Sequence, residues 1–573
     1  MSISAKLVHD AYKLTLNYHI PPDASLPASL AAAKNDTVSF QILLQADQRY
    51  CVNIGQSAWF SEKGPLLCIR PEISAFCPVS LNIEGFVVDD DDTRKADVLL
   101  SEPIVEAAAN MPTAIWVELH IPKDAPVGPA KVSVRVFTST HYQDELLAET
   151  LEINLNILDY ILPDSKDFSF YLDLWQHNSN IARKHEVALW SDRHFAIMES
   201  YVRSLAELGQ KSITIIASEV PWRGQSCFAN QRNPSNLFEF SIIGITRASD
   251  GHFIYDYTAM QRYIDLCGAY GIAGDIEVFG LVNVNRHPDF DTAVLCADYP
   301  EPILLRYYDT QDHKYHYMSH ARDIEDYITS LEQYFIRTHQ ISQVRIAADE
   351  PGDMAKYRES LCKIKTIAPH FIFKTAINHA EFIKEFKDSI NDFAPFIHCL
   401  CTEYETLKTF QEQLPDKKFL WYVCCGPDHF NTFIRSHLLE SRFIGIFTSL
   451  IGFDGFLRWN YTVWPDNPRA DIRYGSFPAG DTNFVYPSAS GGVLLSLRYK
   501  QLQKGIVDFE LLARLRAAGQ DALVRRVYNL LVKNQQVVDY FQPDLLPVEQ
   551  ICSLDYADYN QARALMLAGL VEK

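Results

Sequence analysis

Asp349 and Glu350 stand side by side at the close of the run VRIAADE, with Pro351-Gly352 immediately behind them. Adjacent carboxyls suit acid–base work on one substrate, the ionised one orienting and neutralising while the other keeps a proton to donate. Neighbours on a strand point to opposite sides, so both reach one pocket only where the strand is ending, and Pro351-Gly352 supplies such an ending. A solvated loop or a helix cap also presents paired acids. What favours chemistry is VRIAA, which sets the pair at the mouth of a strand buried on both faces.

Other strand-like runs close on aromatic and polar residues: Leu174-Trp175-Gln176-His177, Trp421-Tyr422, and Arg458-Trp459-Asn460-Tyr461 with Trp464 just beyond. Aromatic faces stack on pyranose rings and carboxylates do acid work, so these ends describe a sugar site. The sugar-binding candidates are Trp175, His177, Trp222, Asn378, Tyr404, Trp421, Tyr422, Trp459, Tyr461, Trp464 and Asp466. Plain core packing competes for each tryptophan singly, less for all of them together. Alternation along the eighth run lets only some of Arg458, Asn460 and Tyr461 face inward.

An ordinary retaining glycosidase needs a second carboxylate about 5 Å away, commonly from another strand end. Run seven closes in Cys424-Cys425-Gly426, and the further acids to hand are Asp428 and Glu403. A two-carboxylate route on a sugar without an acetamido group stays open, as does a carbohydrate-binding protein without turnover. The adjacent pair fits a substrate-assisted route better. There the sugar's 2-acetamido oxygen attacks the anomeric carbon to give an oxazolinium intermediate, Asp349 orients the acetamido N–H, and Glu350 protonates the leaving oxygen. For that, Glu350 must hold its proton near neutrality, which burial and the charge of Asp349 promote.

His313, His316 and His320 share one loop without a matching Cys or carboxylate set, which is thin support for a metal site, and none is expected. Cys399 and Cys401 alternate along the strand-like run FIHCLCT and so face opposite sides. A nucleophilic role for Cys424 or Cys425 lacks an identifiable His–Asn partner. Gly475 and Gly480 read as turns, no phosphate-loop spacing occurs, and no cofactor is expected.

These side chains need a scaffold. From about 168 to 500, eight apolar runs alternate with stretches of helical period: FSFYLDLW, ITIIAS, DIEVFGLVN, VRIAADE, FIFKTAI, FIHCLCT, FLWYVCC and GFLRWNYTVW. This alternation predicts an α/β fold, a closed parallel (β/α)8 barrel of the TIM type whose active site lies at the C-terminal strand ends. Ser191 is the natural N-cap of the first helix and Gly209 its stop. Before the barrel, short runs such as VSFQILLQ, TAIWVELHIP and AKVSVRVFTST, broken by turn signals, predict an antiparallel β-sandwich. The expected domains are the sandwich over residues 1–163, the barrel over 164–500 and a helical segment packed on it over 501–573.

A chain of 573 residues exceeds what one hydrophobic core serves. Its net charge of -20 disfavours a nucleic-acid backbone or an anionic membrane surface as partner. The expected partner is an oligosaccharide or glycoconjugate, and the sandwich is assigned to packing or to a homo-oligomer contact. No run reaches the roughly 18 apolar residues of a membrane span, and no basic segment followed by an apolar one opens the chain. The 12 cysteines, several in apolar runs, read as free thiols in a reducing compartment, so the expected location is cytoplasmic.

The stretch FDGFLRWNYTVWPDNPRADIRYGSFPAGDTNFVYP, Phe453 to Pro487, with GGVLLSLRYKQLQKGIVDFELL after it, resembles the C-terminal signature of glycoside hydrolase family 123 and of the relatives grouped under the DUF4091 domain. LDLWQH (172–177), LWSDRHF (189–195) and LAELGQKSIT (205–214) are similar to the same group, as is the order of sandwich and barrel. The resemblance implies retaining β-N-acetylgalactosaminidase activity by the substrate-assisted route, with Asp349 assisting the acetamido group and Glu350 as acid/base. The chain departs from the group at Asn178, where proline is expected after His177, and at Gly280-Leu281-Val282-Asn283, in place of a segment with tyrosine and tryptophan. These differences bear on the sugar more than on the reaction class.

Overall fold

The structure is a computed structural model that describes residues 2–15, 24–55, 66–222, 238–284 and 296–571. Two packed sheets form the N-terminal part. The first, in the order Ile3–His9, Asp36–Ala46, Thr113–Ile121, Val79–Val88, Arg94–Leu99, is antiparallel throughout. The second runs Ser29–Lys34, Leu146–Ile161, Gly128–Ser139, Leu67–Ser74, Tyr50–Asn53, Ile104–Ala107. It breaks the antiparallel rule twice, at the pairing of Ser29–Lys34 with Leu146–Ile161 and of Tyr50–Asn53 with Leu67–Ser74. Alternate residues such as Phe40, Ile42 and Leu44 meet Val132, Val134 and Val136 between the sheets.

Eight parallel strands follow: β1 (Tyr171–Leu174), β2 (Ser212–Ile216), β3 (Asp275–Phe279), β4 (Val344–Asp349), β5 (Ile372–Ile377), β6 (Ile390–Pro395), β7 (Lys418–Tyr422) and β8 (Gly455–Arg458). β8 pairs with β1, and β1 is drawn to β2 by the Lys211 N–H donating to the Leu172 carbonyl at 3.0 Å and by side-chain bonds such as Ser212 Oγ donating to Asp173 Oδ1 at 2.6 Å, so the barrel is nearly closed. A Cβ on Gly455 would lie 1.8 Å from the Tyr171 carbonyl oxygen, so the β8–β1 approach requires glycine.

The helices around it are α1 (Asn178–Lys184), α2 (Asp192–Leu208), α3 (Thr258–Ala269), α4 (Ala321–Arg337), α5 (Met354–Ile367), α6 (Glu381–Phe386), α7 (Ile397–Thr402), α8 (Tyr404–Gln413), α9 (Leu438–Ile451) and α10 (Leu497–Ala517). Ser191 caps α2 by accepting from the His194 N–H, and Gly209 ends it at φ 81°. Asp353 caps α5 in the same way, on the N–H groups of Ala355 and Lys356. Helix α10 ties the sandwich to the barrel through three buried or half-buried ion pairs, Arg498–Asp97, Lys500–Glu118 and Lys504–Asp10. No helix among the described residues is long and apolar enough to cross a membrane.

One strand lies elsewhere than the run pattern places it. FIHCLCT is helix α7 and its approach, while β6 is the preceding INDFAP. Asp392 hides β6 from a hydrophobicity reading because it faces the barrel interior, where the Arg345 guanidinium donates to it at 2.7 Å. Cys399 and Cys401 are thus buried helix residues, not alternating strand residues.

The interior is likewise not the apolar filling that strands buried on both faces imply. Lys374 of β5 is buried between Asp173 of β1 and Glu277 of β3, donating to both carboxylates. Below it, Asp275 of β3 binds Arg345 of β4 at 3.1 Å and Lys418 of β7 at 2.6 Å. Seven ionisable side chains, four acids and three bases, sit on inward-facing positions, each bonded to a group of the opposite type on another strand, as low-dielectric burial demands.

Candidate active site

Alternation decides which strand-end residues look inward. On β1, Tyr171 and Trp175 join the interior cluster while Leu172 and Leu174 face the helices; on β7, Leu420 and Tyr422 face inward and Trp421 outward. Above the ion-paired floor the mouth carries Trp175, Trp222, Phe279, Tyr422, Trp459 and Phe477. In the layer beneath, β4, β5 and β6 contribute only Ala347, Ala376 and Ala394, so the floor is lowest under the strand ends bearing Asp349 and Asn378.

Asp349 is the last residue of β4 and continues the inward register of Ala347. Glu350 then turns into the left-handed region, φ 48°, with its N–H donating to the Ala376 carbonyl at 3.1 Å. That turn re-aims the second carboxyl inward as well. The Tyr422 hydroxyl donates to Glu350 Oε1 and lies 3.2 Å from the Asn378 amide oxygen. Burial, reinforced by the Glu350 carboxylate, holds the Tyr422 phenol well above its usual range, so it is a standing donor.

Asn283, after β3 at φ 52°, donates from its amide to the Asp349 carbonyl, and Val220, after β2, has φ 48°. The loops following β2, β3 and β4 therefore each hold a side-chain-bearing residue in left-handed backbone, most unfavourably the β-branched valine. Strain of this kind persists only where the surroundings over-determine it, and it clusters at functional sites.

One wall is aromatic. Trp175 and Trp222 stack at 5.7 Å and 19°, and both contact Phe279. Behind them His177 lies against Trp222, its Nε2 3.0 Å from the Trp459 carbonyl. A carbonyl only accepts, so Nε2 carries the proton. Burial lowers the His177 pKa to about 4, which keeps the ring neutral. Glu239, whose Oε1 lies 3.8 Å from His177 Nδ1, is pushed up to about 7 by burial. Across the mouth Trp459 stacks on Phe477 at 5.3 Å, and Asp481 accepts from both Arg458 Nη2 at 2.9 Å and Trp459 Nε1 at 3.3 Å, fixing the indole. Burial raises Asp481 to about 6.

Of the residues singled out from sequence, Asp349, Glu350, Trp175, His177, Trp222, Asn378, Tyr422 and Trp459 converge here. Four others do not. Trp421 packs outward on α9, donating to Thr448 Oγ1 at 2.8 Å. Tyr461 and Trp464 lie past the end of β8 in the helix-side core, bonded to Ser204 and to the Val485 carbonyl. Tyr404 begins α8 outside the barrel, because the strand expected before it is α7. Asp466 is exposed, and its carbonyl accepts from Lys184. Of the alternative acids, Asp428 pairs with Arg435 at 2.6 Å, and Glu403 faces His379 and the Ala380 N–H. Asn283, Glu239, Phe477 and Asp481 escaped the sequence reading. Asp481 had a signal, an acid within the long signature stretch; Asn283 had only its place at the close of the third run, since its role comes from backbone conformation.

The sequence profile described as the catalytic domain of glycoside hydrolase 123 matches residues 175–515. The chain belongs to glycoside hydrolase family 123. A solved structure of a family 123 glycoside hydrolase from Clostridium perfringens, described in terms of glycolipid glycan hydrolysis, superposes with a TM-score of 0.76 at 15% identity, covering 100% of this chain and 99% of that one. A β-D-glucuronidase from Dictyoglomus thermophilum aligns at TM-score 0.30 and 9% identity over 87% of this chain and 68% of its own. A β-glucuronidase from Parabacteroides merdae reaches 0.27 and 12% over 84% and 50%. Both scores are too low to bear on the site. No curated protein sequence matches the chain. Family 123 membership makes the protein a glycoside hydrolase with a glycan substrate, and the sandwich, barrel and C-terminal helices are the architecture of its structural neighbour.

Proposed function

We propose that this family 123 hydrolase cleaves β-linked N-acetylhexosamine, N-acetylgalactosamine foremost, with retention and with the sugar's own 2-acetamido group as nucleophile. The observation that carries the reading is the left-handed turn at Glu350, which presents two consecutive carboxyls to one aromatic mouth while Asp428 and Glu403 are engaged elsewhere. The acetamido oxygen bonds to the anomeric carbon as the glycosidic C–O bond breaks, and Glu350 gives its proton to the departing oxygen. Asp349 accepts the acetamido N–H and balances the positive charge growing on the oxazolinium ring. Water then adds to the anomeric carbon from the vacated side, Glu350 takes its proton, and the ring reopens to the acetamide. Tyr422 orients Glu350, Asn283 holds the β4 terminus, and the Trp175–Trp222 and Trp459–Phe477 stacks offer faces for the pyranose ring.

The test is hydrolysis of aryl β-N-acetylgalactosaminide, β-N-acetylglucosaminide and β-galactoside by the wild type, Glu350→Gln and Asp349→Asn. Turnover of an acetamido sugar that falls about 10²–10⁴-fold in each variant supports the reading. Hydrolysis of the plain galactoside, or variants as active as wild type, rejects it.

A further inference from the structure

Two insertions in the loops after β2 and β3 meet as a small four-stranded sheet: Gly244–Arg247, Phe253–Asp256, Arg306–Asp309 and Lys314–Tyr317. Loops that follow barrel strands lie at the C-terminal end, the same end as the mouth. The register puts Tyr308 opposite Tyr315, Arg306 opposite Tyr317 and Thr246 opposite both Ile254 and Tyr308, all on one face. The opposite face is packed, with Phe253 against Tyr307 and Tyr255 against Tyr327 of α4. The first face is open: Ile254 is 50% exposed, Tyr315 64% and Tyr317 38%.

Solvent does not explain a cluster of large apolar side chains held in place. The Arg306 guanidinium lies 4.7 Å from the Tyr315 ring centroid, and the Tyr308 ring meets Tyr315 edge-on at 5.5 Å. Arg306 is fixed in turn by the buried Glu219 at 2.8 Å, which also accepts from the Tyr317 hydroxyl at 2.6 Å. Glu219 stands just past β2, three residues before Trp222 of the mouth, and the Arg306 guanidinium also lies 5.2 Å from the ring centroid of Phe240, the residue after Glu239 behind His177. Glu219 and Phe240 thus tie the open face to the segments that carry Trp222 and Glu239 of the site.

We propose that this face is a docking platform for the leaving-group side of a neutral oligosaccharide whose terminal sugar occupies the barrel mouth. This deepens the glycosidase reading and rests on it for the direction of the chain. Pre-positioned tyrosine rings stack on pyranose faces, while Arg306 and the tyrosine hydroxyls meet sugar hydroxyls. The occupant is neutral because, among the described residues, the only cation on the face is Arg306, which is already matched by Glu219, while Asp256 on the same face and the chain's net charge of -20 disfavour an anion.

The experiment uses Tyr315→Ala, an exposed position outside the mouth. It is assayed on an aryl β-N-acetylgalactosaminide, which fills the mouth alone, and on a neutral tetrasaccharide with the same terminal sugar. The platform predicts an unchanged kcat/KM on the aryl glycoside and a drop of about tenfold on the tetrasaccharide. Calorimetric titration of the tetrasaccharide into wild type and Tyr315→Ala reads the same loss without turnover. A wild type that binds the tetrasaccharide through Tyr315 but hydrolyses neither substrate keeps the platform and removes the hydrolysis reading. Equal kinetics on both substrates, unchanged tetrasaccharide binding, or a wild-type dimer that Tyr315→Ala dissociates overturns the proposal, the last by giving the face to a second copy of the chain.

Discussion

Replacing Glu277 by glutamine changes how the barrel's stability responds to pH. Glu277, Asp173 and Lys374 are buried together beneath the mouth, two carboxyls to one ammonium. Burial first, and the charge of Asp173 second, push Glu277 up from 4.5 to about 8. Between those values the folded chain keeps a proton that the unfolded chain releases, so this group lowers folding stability as pH rises, fully so above the folded value. The slope across that window is about 1.4 kcal/mol per pH unit. Glutamine does not titrate, yet it keeps an oxygen for Lys374, which Glu277 Oε1 now meets at 2.5 Å. The melting temperature of Glu277→Gln minus that of wild type is therefore expected to climb from about pH 5 to about pH 8, ending positive. Scanning calorimetry at pH steps across that range measures it. A difference that stays flat with pH would refute the idea of a neutral, proton-sharing barrel floor.

Further expectations follow from the same geometry. Lys374→Met strands two buried carboxyls and should cost about 3–5 kcal/mol, read by thermal melting. Tyr422→Phe removes a hydrogen bond to a carboxylate, for which about 1.5–3 kcal/mol is typical, so kcat/KM on an aryl N-acetylgalactosaminide should fall about 10–100-fold with the fold intact by circular dichroism. Trp459→Ala should raise KM, whereas the outward-facing Trp421→Ala should destabilise by about 3–5 kcal/mol and leave the KM of the folded fraction unchanged. His177 is depressed to about 4, so its contribution is whole above the unfolded value of 6.5 and is lost as pH falls toward 4; His177→Gln should flatten that part of the acid melting curve.

Much of this architecture was legible in the chain because hydrophobic period and punctuation agree. Ser191 and Gly209 mark the two ends of α2, and seven of the eight apolar runs overlap barrel strands. β6 was missed because Asp392 turns inward to Arg345, and the neighbouring FIHCLCT, apolar enough for a strand, winds into α7. Strand-end aromatics were read as a group, and alternation then split them: Tyr422 went to the mouth and Trp421 to the helix layer, one residue apart. The ion-paired floor was invisible for a related reason. Asp173, Glu277 and Lys374 are far apart in sequence, and only barrel closure brings them within hydrogen-bonding distance.

The left-handed backbone at Glu350 also separates what this chain needs for folding from what it needs for turnover. Most side chains cost about 1–2 kcal/mol in that conformation, whereas glycine, and asparagine through its short hydrogen-bonding side chain, accept it readily. Glu350→Asn relieves that strain while giving up the Tyr422 hydrogen bond, so it is expected to melt close to wild type while losing activity. An engineering campaign scored on thermostability alone would accept that substitution and so needs a catalytic screen in parallel.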